Sequence, residues 1–229
     1  MEPDRSIELV DNGGDFEALI EFYRAKIAEI GGDYVVLTQA DCLRRLRAGL
    51  LAARLCRAAA HVLMPCDIDG RTPSGVDVLA AWVVAQGMGV SADSFYLDGE
   101  AAGEHIGRLS SYIADMHMLA ATATEAFLID PTISVGEPIT CGAHFPEELL
   151  AAEDSAGAVY VIIADRDDLD AFAEHQYMIR NPLCIGAESA ELLEAALRLY
   201  DGRPFYDGRD TVVAADLNRL TREYGLLVL

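Results

Sequence analysis

The chain has 229 residues, 52% of them hydrophobic, enough for one large α/β domain with a buried core over residues 1–229. A formal net charge of −21 disfavours nucleic acid and anionic membranes as partners, because phosphate binding needs clustered Lys and Arg. No apolar run reaches the roughly 18–20 residues of a membrane helix, and Met1-Glu2-Pro3-Asp4 does not open a signal peptide, so a cytoplasmic protein is predicted.

In chain order, short β-rich runs alternate with helical ones. Strands are predicted at Ser6–Val10, Tyr34–Thr38, His61–Pro65, Ser94–Leu97, Met116–Ala121, Ala126–Ile129, Ile139–Gly142, Val159–Ala164, Pro182–Gly186, Pro204–Tyr206 and Leu226–Leu229. Helical periodicity covers Phe16–Ile30, Cys42–Ala58, Val76–Gln86, Ala101–Ile113, Pro146–Ala152, Asp168–Arg180, Ala190–Tyr200 and Thr211–Tyr224. Asp41, Ser189 and Asp210 are placed to cap helix starts. Eight helices among parallel strands suit a TIM-type (β/α)8-like barrel, incomplete or remodelled. A doubly wound open sheet is the alternative, although no strand leads into a G-x-G-x-x-G or G-x-x-x-x-G-K turn. Consecutive βα units predict at least seven parallel strands in one sheet, with Val35–Leu37, Val62–Met64 and Phe95–Leu97 adjacent in that order. Exposed sheet edges in a shortened barrel need covering, which predicts a homodimer.

Lys26 is the single lysine and lies on an amphipathic helix, which disfavours Schiff-base and pyridoxal-phosphate chemistry. The five cysteines are widely spaced without a C-x-x-C pair, so reduced thiols are expected. If the strands close into a barrel, residues just past their carboxyl ends converge on one face: Asp11, Gln39, Cys66, Asp67, Asp69, Asp98, Cys141, His144, Asp165, Cys184 and Asp207. Cys66, Cys141 and Cys184 are either zinc ligands, alone or with His144 as a fourth, or small core residues. Asp67 and Asp69 are either a substrate or metal clamp or the caps of a tight turn. His144 is either an acid–base group or a solvated capping histidine.

The run Leu50-Leu51-Ala52-Ala53-Arg54 followed by Asp67-Ile68-Asp69-Gly70-Arg71-Thr72-Pro73-Ser74-Gly75 resembles the homocysteine S-methyltransferase barrel, in which an AxLAAR helix and a strand lead to a D-x-D-G-R-[ST]-x-[ST]-G turn. Ile7 to Ile30 is similar to the preceding strand, glycine-bearing turn and helix of that family, which places the start of this chain inside the barrel. From Pro182-Leu183-Cys184-Ile185-Gly186 through Asp201-Gly202-Arg203-Pro204-Phe205-Tyr206-Asp207-Gly208 the chain resembles the pterin-binding barrel of cobalamin-dependent methionine synthase. The resemblance implies a methyltransferase working in one-carbon or corrinoid-linked methyl transfer on a small-molecule substrate. Zinc is the implied metal, and a corrinoid or folate is reached through a partner such as a corrinoid protein; on the strand-end face Asp67, Asp69 and Asp207 are placed to orient the substrate, with His144 as the candidate acid–base group. The family's zinc triad needs one cysteine at a strand end and a Cys-Cys pair at another. Here the matching strands end Leu97-Asp98-Gly99 and Ile163-Ala164-Asp165, so the usual zinc-thiolate activation of homocysteine is not expected. The alternative function is a non-catalytic barrel that binds a partner protein or small metabolite; a metal-dependent lyase or aldolase on the same scaffold is a third.

Overall fold

A computed structural model describes residues 5–112, 118–130, 132–209 and 212–229. The expected element ends at Ile113, Met116 and Thr211 and the cap at Asp210 lie outside them. The chain divides into two compact units, Met1–Met116 and His117–Leu229, each α/β with a parallel sheet.

The first unit runs β1 (Ser6–Glu8), α1 (Phe16–Ile30), β2 (Tyr34–Thr38), α2 (Leu43–Leu55), β3 (Ala59–Pro65), α3 (Val78–Gly87), β4 (Phe95–Asp98) and α4 (Ala102–Ser111). Its strands pair in parallel in the order β1-β2-β3-β4, so the three strands expected to be neighbours are neighbours. Register explains the burial pattern. Ile7, Leu37, Val62 and Phe95 lie side by side across the sheet, all at most 3% exposed. One residue later, Glu8, Thr38, Leu63 and Tyr96 form a row on the opposite face, as the two-residue strand period requires, and Tyr96 there is 37% exposed. Helix α1 buries the stripe Phe16, Leu19, Tyr23 and Ile27, and Asp15 caps it by accepting from the Ala18 amide at 2.8 Å. Helix α2 packs between α1 and α3 and is buried from Leu46 to Ala53, Arg47 included.

The second unit runs β5 (Leu119–Ala121), β6 (Ala126–Leu128), β7 (Val135–Thr140), α5 (Phe145–Ser155), β8 (Ala158–Ile163), α6 (Arg166–His175), β9 (Leu183–Ala187), α7 (Ala190–Leu199), β10 (Phe205–Tyr206), α8 (Ala214–Tyr224) and β11 (Leu227–Val228). Strands β7 to β11 form a parallel sheet in sequential order. The parallel strands thus fall into sheets of four and five, not one sheet of seven or more. Strands β5 and β6 account for part of the difference. Only the turn from Thr122 to Glu125 separates them, too short for a parallel crossover, and they pair antiparallel with each other. The hairpin region adds Ala120 and Ile129 to a core with Tyr160, Cys184, Phe205 and Leu227. Arg203, 6% exposed, fastens it: backbone bonds join Arg203 to Ala121, while its guanidinium donates to Leu119 O at 2.9 Å and Gly225 O at 2.7 Å.

The helix caps divide along physical lines. Ser189 accepts from the Leu192 amide as expected, and Asp165 with Asp168 forms a capping box on α6. Asp41 does not cap α2; the N-cap is Cys42, whose side chain makes no cap bond, and Asp41 is held in an ion pair by Arg45 one turn on. No helix among the described residues is long and apolar enough to cross a membrane.

Helices α7 and α8 are joined by one carboxylate. Glu194 accepts from Arg198 at 2.6 Å, Arg219 at 2.7 Å and the Tyr224 hydroxyl at 2.8 Å. Burial pushes its pKa up, but the bonds from Arg219 and Tyr224 and the charge of Arg198 win and hold it below the ordinary value of 4.5. A depressed acid stabilises the fold fully above its unfolded pKa and loses that contribution as pH falls through the folded value. Acid unfolding followed by circular dichroism should therefore show a stability loss below about pH 4.5 that is smaller in Glu194→Gln, with the variant already less stable than the parent at pH 7.

Candidate functional site

Parallel strands deliver their following loops to one edge of the sheet, and in the first unit that edge holds a cavity of about 730 Å³. Its apolar floor is Val36, Leu63 and Pro65. Polar groups come from every strand: Glu8 from β1, Thr38, Gln39 and Asp41 from β2 and its turn, Thr72 and Ser74 from the loop after β3, and Asp98 from β4.

Each wall has a local cause. Gln39 leaves β2 with φ of 56°, a left-handed conformation uncommon outside glycine, which marks local strain beside the cavity. Its amide nitrogen lies 3.4 Å from a Glu8 carboxylate oxygen. Beside it Arg45 bridges Asp41 and Asp11, the latter at 2.8 Å. Asp11 is held below the ordinary carboxylate range by the Gly13 amide and then by the Arg45 charge.

The stretch Asp67–Gly75 folds into a self-bonded loop. Asp67 Oδ1 accepts from the amides of Asp69 and Arg71, both at 2.9 Å, and the Asp67 amide donates to Arg71 O at 2.8 Å. Thr72, 4% exposed, accepts at Oγ1 from the Val76 amide at 3.1 Å and meets Ser74 Oγ at 3.0 Å. The loop is thereby held with Thr72, Pro73 and Ser74 facing the cavity. Asp67 is an exposed turn cap and is not part of the cavity lining. Asp69 is exposed too, at a separate small cleft shared with His105, whose Nε2 donates to Ile68 O at 3.2 Å.

The fourth wall depends on a glycine. Asp98 O accepts from the Cys66 amide at 2.8 Å, drawing the two chains so close that a Cβ on Gly99 would stand 2.0 Å from Cys66 O. Gly99→Ala should destabilise the protein by about 3 kcal/mol in urea unfolding, because the obstacle is backbone and has no rotamer to yield.

The remaining expected residues are placed as follows. Cys66 is buried beneath this edge in the first unit, and burial, with the charges of Asp67 and Asp98, pushes its thiol pKa up. Cys141 follows β7 in the second unit, buried, with its pKa pushed to about 12 by burial and then by Asp168. Cys184 is wholly buried within β9, and its pKa is raised first by burial and then by Asp207. His144 is exposed at the N-cap position of α5, making no side-chain cap. Asp207 follows β10, pairs with Arg209 at 2.7 Å and is hydrogen-bonded to Cys184; Arg209 also lies over the Tyr160 ring at 5.2 Å. The structure therefore brings Cys184 and Asp207 together. Among the described residues no three His, Cys, Asp or Glu side chains gather as metal ligands, and burial raises the pKa of each of these three thiols. The described residues do not fit the implied zinc.

Sequence reasoning missed Glu8. It extends β1 to Val10 and so counts Asp11 as the first strand-end group, while β1 ends at Glu8. Strand alternation carried the signal, since Ile7 and Leu9 face the core and Glu8 between them faces away.

With these pKa directions, a thiol reagent at neutral pH should modify the half-buried Cys42 and Cys56 first, leaving Cys66, Cys141 and Cys184 slow until the protein is unfolded. A fast reaction at Cys141 or Cys184 in native protein would contradict the placement.

Compared with known proteins, the chain matches no family model and no curated protein sequence.

Proposed function

We propose that the chain is a divergent barrel of the homocysteine and pterin methyltransferase type, a single TIM-type (β/α)8-like domain that binds a small molecule at the strand-end cavity of its first unit and acts in one-carbon or corrinoid-linked methyl transfer. The observation that carries the reading is the position of the resembling motif. The turn Asp67-Ile68-Asp69-Gly70-Arg71-Thr72-Pro73-Ser74-Gly75 directly follows β3 and supplies Thr72, Pro73 and Ser74 to the cavity wall. Strand order supports the barrel over a doubly wound sheet. Both parallel sheets are ordered strictly in sequence, whereas a doubly wound sheet reverses direction at a switch point.

In methyl transfer the acceptor's lone pair takes the methyl group, the donor keeps the bonding electrons, and a protonated acceptor gives up its proton. In this reading Glu8 and Asp98 orient the substrate and take that proton, and Thr72 and Ser74 position it. The lining contains no Lys or Arg to meet the carboxylates of a folate, which in this reading is reached only through a partner. A corrinoid would be presented by a partner protein. A second reading, a non-catalytic barrel binding a metabolite, is favoured by the absence of an activated thiol among the three candidate cysteines.

Incubation with methylcobalamin and a panel of acceptors, followed by corrinoid absorbance, tests the enzyme. We expect protein-dependent demethylation that falls at least tenfold in Asp98→Asn and does not respond to added zinc. Saturable ligand binding without turnover would replace the enzyme by the binding module, and neither would end both readings.

A further inference from the structure

The lining of the strand-end cavity has one sign of charge. Its charged members are Glu8, Asp41 and Asp98. Arg45 pairs with Asp41, yet among the described residues no ion pair reaches Glu8 or Asp98. Among the described residues the Glu8 carboxylate meets the Gln39 side-chain amide, at the long distance of 3.4 Å. Both acids are exposed, one on each edge strand of the four-stranded sheet, so they flank the apolar floor of Val36, Leu63 and Pro65. The Thr72 and Ser74 hydroxyls, bonded to each other, add neutral hydrogen-bonding groups to the lining.

From this arrangement we propose that the cavity selects small molecules that join an aliphatic body to a positively charged ammonium group, the ammonium lying against Glu8 or Asp98 and the aliphatic part on the Val36–Leu63–Pro65 floor. The inference rests on the cavity being the ligand site proposed above. Three physical reasons support the class. An anion would enter a cavity whose lining carries no cationic side chain and whose neighbouring Arg45 is already paired with Asp41 and Asp11, in a protein of net charge −21. A neutral polyol would satisfy the hydroxyls but waste the apolar floor. An ammonium-bearing aliphatic satisfies both, because its charge is met by carboxylates that have no internal counter-ion while its carbon skeleton leaves water.

Three probes of nearly the same shape separate the outcomes: cyclohexylammonium chloride, cyclohexanol and sodium cyclohexanecarboxylate, each titrated into the full-length chain and followed by ¹H–¹⁵N NMR at the amides of Gln39, Thr72, Ser74 and Asp98. The expected result is saturable shifts with the ammonium compound, at least fivefold tighter than with the alcohol, and none with the carboxylate. Binding should weaken as salt rises, and about tenfold in the double variant Glu8→Gln with Asp98→Asn, while Asp154→Asn, an exposed acid in the second unit, leaves it unchanged. Both cavity acids are exposed, so their spectra should remain those of folded protein; if the double variant does not fold, each single variant read against Asp154→Asn serves instead. Equal or tighter binding of the alcohol or the carboxylate at these amides overturns the charge selection but keeps the cavity as a ligand site. Silence of all three probes at these amides overturns the site itself.

Discussion

Parallel pairing of consecutive strands is the constraint on which the functional face depends. A parallel strand must be followed by a crossover back to the starting edge, so each loop after a strand emerges at the same side. In the first unit this gathers Glu8, Gln39, Thr72, Ser74 and Asp98 around one cavity although they span ninety positions of the chain. The register makes it tight. With Ile7, Leu37, Val62 and Phe95 in one row, Glu8 and Thr38 must fall together in the next, and β3 and β4 run on to pair Pro65 with Asp98.

The loops at this face hold their shape through backbone-directed carboxylates and hydroxyls, with few bonds between distant side chains. Asp67 binds amides within its own loop, Asp11 binds Gly13, and Thr72 binds Val76. The Asp67 and Asp11 carboxylates are occupied by their own turns and are therefore poor candidates for chemistry, even where a motif places them prominently. Glu8 and Asp98 differ: among the described residues neither carboxylate is bound by the amides of its own turn or held in an ion pair. The useful distinction at this face is between acids that build the loops and acids the loops leave available.

In the second unit the same chemistry is turned inward. Cys184, Asp207, Arg209 and Tyr160 lie together, but the thiol is wholly buried and its proton is retained by burial and by the neighbouring carboxylate. The hairpin β5–β6 contributes to the core beside it, with the buried Arg203 guanidinium satisfying carbonyls at Leu119 and Gly225. Burial lowers the Arg203 pKa to about 10, which still leaves it charged at neutral pH, and its carbonyl partners explain how that charge is accommodated.

The sequence by itself determined the alternation of strands and helices, because strand and helix periods are local properties. Tyr34–Thr38 and Phe16–Ile30 have the bounds that their patterns imply. It also determined that Asp67–Gly75 is a turn after a strand, and it brought Gln39, Asp98 and Asp207 onto a list of strand-end residues. What only the tertiary structure decided were pairings between distant residues. The antiparallel match of β5 with β6, the division of the strands into sheets of four and five, the capture of Asp41 by Arg45 and the turn-capping role of Asp67 each depend on which groups meet. The sequence could present Cys66, Cys141 and Cys184 as thiol ligands, because a cysteine reads alike in either role. Whether a thiol ionises is set by its solvation and neighbouring charges, and those exist only once the chain has folded around it.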